Sequence, residues 1–290
     1  MRGIDCDPTM PEPGLQHGNG PHTGGNGAPP LQLLQLTDLH LHSNPDGRLL
    51  GQQTWHTFEA VLALARQRHW PPDALVLTGD LVHDERAEGY RRLRQRLERL
   101  GIPFFCIPGN HDRLDLMTDH LDPDAISGLR VETIGGWDLL LLDSTIPLEV
   151  GGHIDAEVLT SLDRYASAHP RRPKIVFLHH QPVPVGSRWI DSIGTANGDA
   201  LVATVARHPS IHALIWGHVH QTFERRVGGV ALLATPSTCV QFLPKSDNFA
   251  LDRLPPGYRW LDLYPDGRID TGVSRIDAYP EPLRLSHAGY

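Results

Sequence analysis

The sequence predicts an α/β fold of two packed β-sheets flanked by helices. Two observations carry that expectation. From Leu31 onward, short apolar runs of strand length alternate with stretches whose apolar residues recur at helical spacing. Later runs follow one another with little helix between them, as in a chain that completes its sheets by direct strand connections.

The first stretch, residues 1 to about 30, is rich in Gly and Pro ("PEPGLQHGNGPHTGGNGAPP"). It holds too little apolar surface to offset its ordering entropy and is expected to be a disordered tail, with His17 and His22 solvated. Leu31–Thr37 then reads as a buried strand. Trp55, Phe58, Leu62 and Ala65 give Gln52–His69 a helical stripe, and "DALVLTGD" (Asp73–Asp80) is a second buried strand. Tyr90, Leu93, Leu97 and Leu100 form the next helical stripe, followed by a third strand in "PFFCIPGNHD" (Pro103–Asp112). "WDLLLLDS", "KIVFLHH" and "IHALIWGHVH" (Ile211–His220) are further strands, as are "GVALLAT" and "YRWLDLY" near the end. Residues 31–290 are expected to form one domain.

Composition narrows the function classes. Hydrophobic residues make up 40% of the 290, enough for a sizeable core. A formal net charge of −8 gives no support for a duplex-binding face, so no nucleic-acid partner is expected. No apolar run approaches a membrane span, and no basic stretch with an apolar core marks a signal peptide. Three cysteines, Cys6, Cys106 and Cys239, make no disulfide framework and suit a reducing cytoplasm. The composition leaves the oligomeric state open.

The unusual feature is where polar residues fall. Five apolar runs end in Asp38-Leu39-His40, Gly79-Asp80, Gly109-Asn110-His111-Asp112, His179-His180 and Gly217-His218-Val219-His220. Polarity at one strand exit is ordinary capping. Five endings drawn from one set of metal-ligand residue types are not, because sites in α/β sheets form just beyond the carboxyl ends of strands. Imidazole with carboxylate suits Fe, Mn and Zn, and a carboxylate can bridge two ions. Two-residue spacing on an extended segment would put Asp38, His40 and His42 on one side. The glycines before Asp80, Asn110 and His218 would permit close backbone approach.

In this order, D-x-H, G-D, G-N-H-D, H and G-H-x-H, the motifs resemble the calcineurin-like metallophosphoesterase superfamily from about Leu31 to the C-terminal region. "LHHQPVPVGSRWID", "GHVHQ", "ATPSTCVQF" and "PPGYRWLDLYPDG" narrow the likeness to bacterial class III cyclic-nucleotide phosphodiesterases. The resemblance implies a four-layer αββα sandwich of mixed sheets. It implies two transition-metal ions per chain, Fe and Mn foremost, with Zn or Co as alternatives. Asp38, His40 and His220 would hold one ion, Asn110, His179 and His218 the other, and Asp80 would bridge them. His111 would face the substrate phosphate, and Asp84 and Asp112 would orient the ligands. The implied reaction is hydrolysis of 3′,5′-cyclic AMP to 5′-AMP by a hydroxide held between the metals. Related families with this core cleave other phosphodiesters, nucleotides and monoesters, so one of these is the alternative reaction. A non-catalytic scaffold would be expected to have lost ligands, whereas every motif position here is filled.

Other polar residues keep a plainer reading beside the functional one. His42 is a solvated or orienting residue as readily as a ligand. His180 is expected to be structural, His83 an exposed loop residue, and His212 a satisfied core histidine. His153 approaches the site from a loop or merely begins a helix. Arg225 and Arg226 read as a solvated turn. In the loop Pro184–Asp199, Trp189 either stacks on a base or anchors the loop, and Arg188 and Asn197 are candidates for phosphate or base contacts. Asn110, His111 and His220 complete the expected substrate contacts.

Overall fold

The computed structural model describes residues 29–125 and 127–284. Most of the segment expected to be a disordered tail lies outside the described residues. In chain order the elements begin with β1 (Leu31–Leu36), β2 (Arg48–Leu49), β3 (Gln52–Gln53), α1 (Thr54–Arg68), β4 (Ala74–Thr78) and α2 (Ala87–Glu98). Then come β5 (Phe104–Ile107), α3 (Leu114–His120), β6 (Leu129–Ile134), β7 (Trp137–Leu142), α4 (Ala156–Ala168) and β8 (Lys174–Phe177). Helices α5 (Arg188–Asp191) and α6 (Gly198–Ala206) lead to β9 (Ile211–Trp216), β10 (Phe223–Val227) and β11 (Val230–Ala234). The chain ends with β12 (Gln241–Phe242), β13 (Leu251–Asp252), β14 (Gly257–Leu263) and β15 (Ile269–Arg275).

Two sheets carry the fold. One has strand order β15-β14-β1-β4-β5 and the other β10-β11-β9-β8-β7-β6. Both are mixed: β1, β4 and β5 run parallel while β14 pairs antiparallel to β1, and β7, β8, β9 and β11 run parallel between antiparallel edges β6 and β10. The apolar runs are buried on both faces, which is why they read as continuous rather than alternating. Leu33, Val76, Leu139, Leu141, Ile175, Phe177, Ala213 and Ile215 face inward and form the layer between the sheets. Their neighbours Leu34, Leu36, Leu75 and Leu77 face outward onto Phe58, Val61 and Leu62 of α1 and Tyr90, Leu93 and Leu97 of α2. Leu140, Leu142, Val176, Leu214 and Trp216 face the other way onto Leu162 and Ala166 of α4 and Leu201 and Val205 of α6. The result is the expected αββα order. No helix among the described residues is long and apolar enough to cross a membrane.

Strand β6, helices α3 to α6 and the edge strand β10 were not evident from the sequence. Strand β6 is half-exposed along most of its length, so its sequence "LRVETI" shows no sustained apolar run. Arg225 and Arg226 lie within β10 rather than in a turn, at a sheet edge where long charged side chains are tolerated.

A buried polar network ties the sheets together close to the strand ends. The amide of Gln35 donates to Thr78 Oγ1 at 2.9 Å, and its carbonyl oxygen accepts from the Thr235 hydroxyl. Thr235 Oγ1 accepts from Arg259 Nε at 3.2 Å, and the fully buried guanidinium also donates to the Ala234 carbonyl at 3.0 Å and to Glu224 at 3.3 Å. A buried cation needs such full satisfaction. The network holds the exits of β1, β4 and β11 in a fixed relation beneath the residues that follow them.

Candidate metal centre

Backbone pairing continues past the ends of β1 and β4. Asp38 N donates to Gly79 O at 3.0 Å, His40 N to Asp80 O at 2.8 Å and Leu41 N to Leu81 O at 3.0 Å. On the second sheet, Gly217 N donates to His179 O at 3.2 Å. The sheets meet where His218 N donates to the Asp38 carboxylate at 3.1 Å. Two glycines make this approach possible. A Cβ on Gly109 would lie 2.2 Å from Asp80 Oδ1, and one on Gly217 would lie 2.0 Å from Thr37 Oγ1.

Five of the residues at these exits adopt the left-handed conformation: Asp38 (φ 53°), His40 (46°), Asp80 (52°), His218 (63°) and His220 (47°). Non-glycine residues avoid this region, so the surrounding hydrogen bonds must hold them there. The conformation also corrects the expected geometry. Asp38 and His40 are brought together by successive turns rather than by the alternation of an extended strand. His42 accordingly leaves the group; its ring packs on His83 with centroids 5.0 Å apart.

Overlapping groups of donor atoms result: besides His40–His83–His111 and Asp38–Asp80–His179, two groups flank Asp80. Asp38, His40 and His220 form one, with His220 Nε2 3.2 Å from Asp38 Oδ1 and 3.3 Å from His40 Nε2. His179, His180 and His218 form the other, with Asn110 Oδ1 3.3 Å from His179 Nε2. Asp80 lies between them: Oδ2 is 3.7 Å from His40 Nε2 and Oδ1 is 3.4 Å from His179 Nε2. Apart from Asn110, these residues are buried.

The rings are oriented from behind. His179 Nδ1 meets Thr78 O at 2.8 Å and His220 Nδ1 meets Val240 O at 2.8 Å, so each ring turns Nε2 inward. Phe242 lies flat on His220, with centroids 4.0 Å apart and 6° between planes.

The buried carboxylate and the imidazoles shift one another's proton affinity. Burial alone would raise the Asp80 carboxyl, but His179, His111 and His40 hold it well below the ordinary carboxylate range. Burial would lower His179, but the Asp80 carboxylate beside it holds that imidazole up to about 9. Burial keeps His40 and His218 well below the ordinary histidine value, so both retain lone pairs. His218 Nε2 and His180 Nε2 are buried and have no hydrogen-bond partner among the described residues. Orphaned imidazole nitrogens beside two carboxylates are costly as they stand. A borderline transition metal fits this donor set.

The flanking acids act on the loops. Asp112 accepts from Leu81 N and Val82 N at 3.1 Å, Gly109 N at 3.0 Å and Tyr90 Oη at 2.9 Å, joining the β4 and β5 exits. Burial, with Asp80 nearby, pushes its carboxyl up to about 6. Asp84 accepts from Ser43 N at 3.0 Å and Ser43 Oγ at 2.6 Å.

Over the clusters opens a cavity of about 130 Å³. Asp80, Asn110, His111, His218 and His220 form its floor, and Val150, Trp189, Ile190, Ile193, Phe242 and Phe249 its wall. Trp189 meets Phe242 and Phe249 edge-on at 5.0 and 5.2 Å, so one residue both anchors its loop and lines the cavity. Arg188 is outside, 76% exposed and 3.5 Å from Asp247.

Three expectations are corrected. Asn197 is not among the residues lining this cavity: its side chain clamps the backbone of Ile154, accepting from N at 3.0 Å and donating to O at 2.7 Å. His212 is half-buried against Trp137 rather than enclosed in the core, because its side of β9 lies at the sheet's end beside Gly267. His83 is not an exposed loop residue. The β4 exit runs beside the β1 exit and carries His83 against His40, with Nδ1 atoms 3.3 Å apart. His153 is exposed, and His180 is buried with Nδ1 2.9 Å from Ser144 Oγ. The apolar wall of Val150, Phe242 and Phe249 was not singled out from the sequence: "ATPSTCVQF" ends at Phe242 but gave that residue no role, and only folding brings the three to the site.

Residues 31–222 match the family model for calcineurin-like phosphoesterase. The chain is 40% identical over 275 residues to the 3′,5′-cyclic adenosine monophosphate phosphodiesterase CpdA of Pseudomonas aeruginosa, covering 95% of this chain and 99% of that one. It is 37% identical to CpdA of Escherichia coli strain K12, covering 85% and 90% respectively. A 3′,5′-cyclic-nucleotide phosphodiesterase of Nostoc sp. is 36% identical, covering 85% and 93%. Among solved structures, a dimetal phosphatase from Danio rerio shares the fold with a TM-score of 0.59 at 15% identity, covering 87% of this chain and all of that one.

Proposed function

Because the chain belongs to the calcineurin-like phosphoesterase family, we propose that it is a dinuclear metal-dependent phosphodiesterase hydrolysing 3′,5′-cyclic AMP to 5′-AMP. The observation that carries the reading is the Asp80 carboxylate, whose two oxygens face two separate sets of donors at 3.7 and 3.4 Å. Asp38, His40 and His220 would hold one ion, Asn110, His179 and His218 the other, with Asp80 shared. Iron and manganese are the proposed pair, with zinc or cobalt as substitutes. The ions would supply an activated water nucleophile and neutralise charge on the phosphoryl oxygens.

The chain's own residues do the rest. Asn110, His111 and His220 line the floor and meet the phosphate. His111 delivers a proton to the departing 3′-oxygen, and its backbone N–H, 2.9 Å from Asp80 Oδ1, fixes where its ring stands. Trp189 offers its face to the base in the apolar wall, and Arg188 attracts the anion from the rim. Asp84 and Asp112 keep the ligand-bearing loops in register. Residues 31–290 would act as one catalytic domain, since β1 pairs with β14 and the two sheets share one apolar layer. The buried thiols Cys106 and Cys239 suit a cytoplasmic setting.

The test is a substrate panel on metal-reconstituted enzyme: 3′,5′-cyclic AMP, 3′,5′-cyclic GMP, 2′,3′-cyclic nucleotides, 5′-AMP and linear diesters. The highest kcat/KM is expected on 3′,5′-cyclic AMP. Turnover of monoesters or linear diesters with cyclic AMP left intact would overturn the assignment. Trp189→Ala is expected to raise KM for cyclic AMP roughly 5–150-fold with little change in kcat, from a stacking contribution of about 1–3 kcal/mol. An unchanged KM would leave Trp189 as a loop anchor alone.

A further inference from the structure

We propose that His83 is a positioning residue for His40: it accepts the Nδ1–H of that imidazole and so fixes which ring nitrogen faces the metal centre. The inference rests on the reading of Asp38, His40 and His220 as one metal site.

The His40 ring has two sides with different duties. Nε2 points inward, 3.3 Å from His220 Nε2 and 3.7 Å from Asp80 Oδ2. Nδ1 points outward, 3.3 Å from His83 Nδ1. A hydrogen bond between two imidazole nitrogens needs one donor and one acceptor. A ring that ligates through Nε2 carries its proton on Nδ1, so His40 donates and His83 accepts. His83 must then keep its own proton on Nε2. The ring planes stand 69° apart with centroids at 5.4 Å, which keeps the two Nδ1 atoms in contact at 3.3 Å.

The backbone builds this contact. His83 N donates to Leu41 O at 2.9 Å, and Leu41 and Val82 form a parallel bridge beyond β1 and β4. His83 is further confined between the rings of His42 at 5.0 Å and His111 at 5.2 Å. His179 and His220 take the corresponding support from the backbone carbonyls of Thr78 and Val240, which no substitution at those positions removes. At His40 the support is a side chain, and it can be replaced. Groups that orient a metal-binding histidine typically contribute 10–100-fold to metal affinity.

The experiment measures metal binding on the full chain. Mn²⁺ or Zn²⁺ is titrated calorimetrically into metal-free wild type, His83→Ala and His83→Gln, with thermal melting of each metal-free protein. His83→Ala is expected to weaken one of two binding steps by about 10–100-fold, at an unchanged metal-free melting temperature. His83→Gln, whose Oε1 accepts the same proton, is expected to recover most of that loss. Equal binding by wild type and His83→Ala, or equal loss in both variants, overturns the proposal. Long-range ¹H–¹⁵N spectra of the zinc-loaded wild type give a readout that needs no variant. His40 is expected as the Nδ1–H tautomer and His83 as the Nε2–H tautomer; a proton on His83 Nδ1 overturns it. Wild type that binds no metal would fail the underlying site reading itself, an outcome distinct from the others.

Discussion

Asp80→Ala is expected to lose both metal ions and nearly all turnover together, while substitution of any other proposed ligand empties one site first. Asp80 is the carboxylate whose two oxygens face the Asp38–His40–His220 group and the Asn110–His179–His218 group. Its removal takes a negative charge from beside the imidazoles of His40 and His179. The same carboxylate accepts from His111 N at 2.9 Å, so the Asn110–His111 turn loses an anchor too. Metal ions contribute several kcal/mol to charge stabilisation at phosphorus, which sets the expected loss at about 10³-fold or more. The variant should fold, because Asp80 follows β4 rather than lying in the apolar layers. Metal analysis of the purified variant, with circular dichroism as the check on folding, decides the matter. A folded Asp80→Ala protein carrying two ions would overturn the bridging assignment.

Much of this site was legible because its residues sit at the ends of buried strands. A continuous apolar run such as "ALVLT" announces a strand covered on both faces, and such a strand delivers whatever follows it to the sheet's edge. That logic named the residues of both clusters except His180, which it read as structural. It did not reach what holds them. The left-handed turns at Asp38 and His40 depend on backbone bonds to the β4 exit, and sequence spacing alone suggested an extended segment. His83 was misread for the same reason: its environment comes from Leu41 and His40, some forty positions away. Phe242 and Phe249 reach the cavity through the β12–β13 hairpin, whose strands are two residues long and leave no periodic signal. Asn197 fell the opposite way, because a polar residue in a promising loop was satisfied by local backbone.

His111→Ala is expected to separate metal binding from catalysis. It should keep close to two ions per chain and slow turnover by roughly 10²–10⁴-fold, the range for a lost acid or base. The truncation spares the backbone N–H that donates to Asp80 Oδ1, so the contact that secures the shared carboxylate survives. What is lost is the imidazole on the cavity floor, beside Asn110 and His220. The loss should depend on the leaving group. Hydrolysis of 3′,5′-cyclic AMP expels a basic alkoxide that needs a proton as the P–O bond breaks. A p-nitrophenyl diester expels a weakly basic phenolate that departs without one. The defect should therefore be much larger on cyclic AMP than on bis(p-nitrophenyl) phosphate. Parallel kcat/KM measurements on the two substrates, with metal content determined on the same preparations, give the answer. Equal losses would assign His111 to charge stabilisation at phosphorus instead of proton delivery. Loss of one ion would make it a ligand instead, at the His40 side of the centre, where its ring groups with those of His40 and His83.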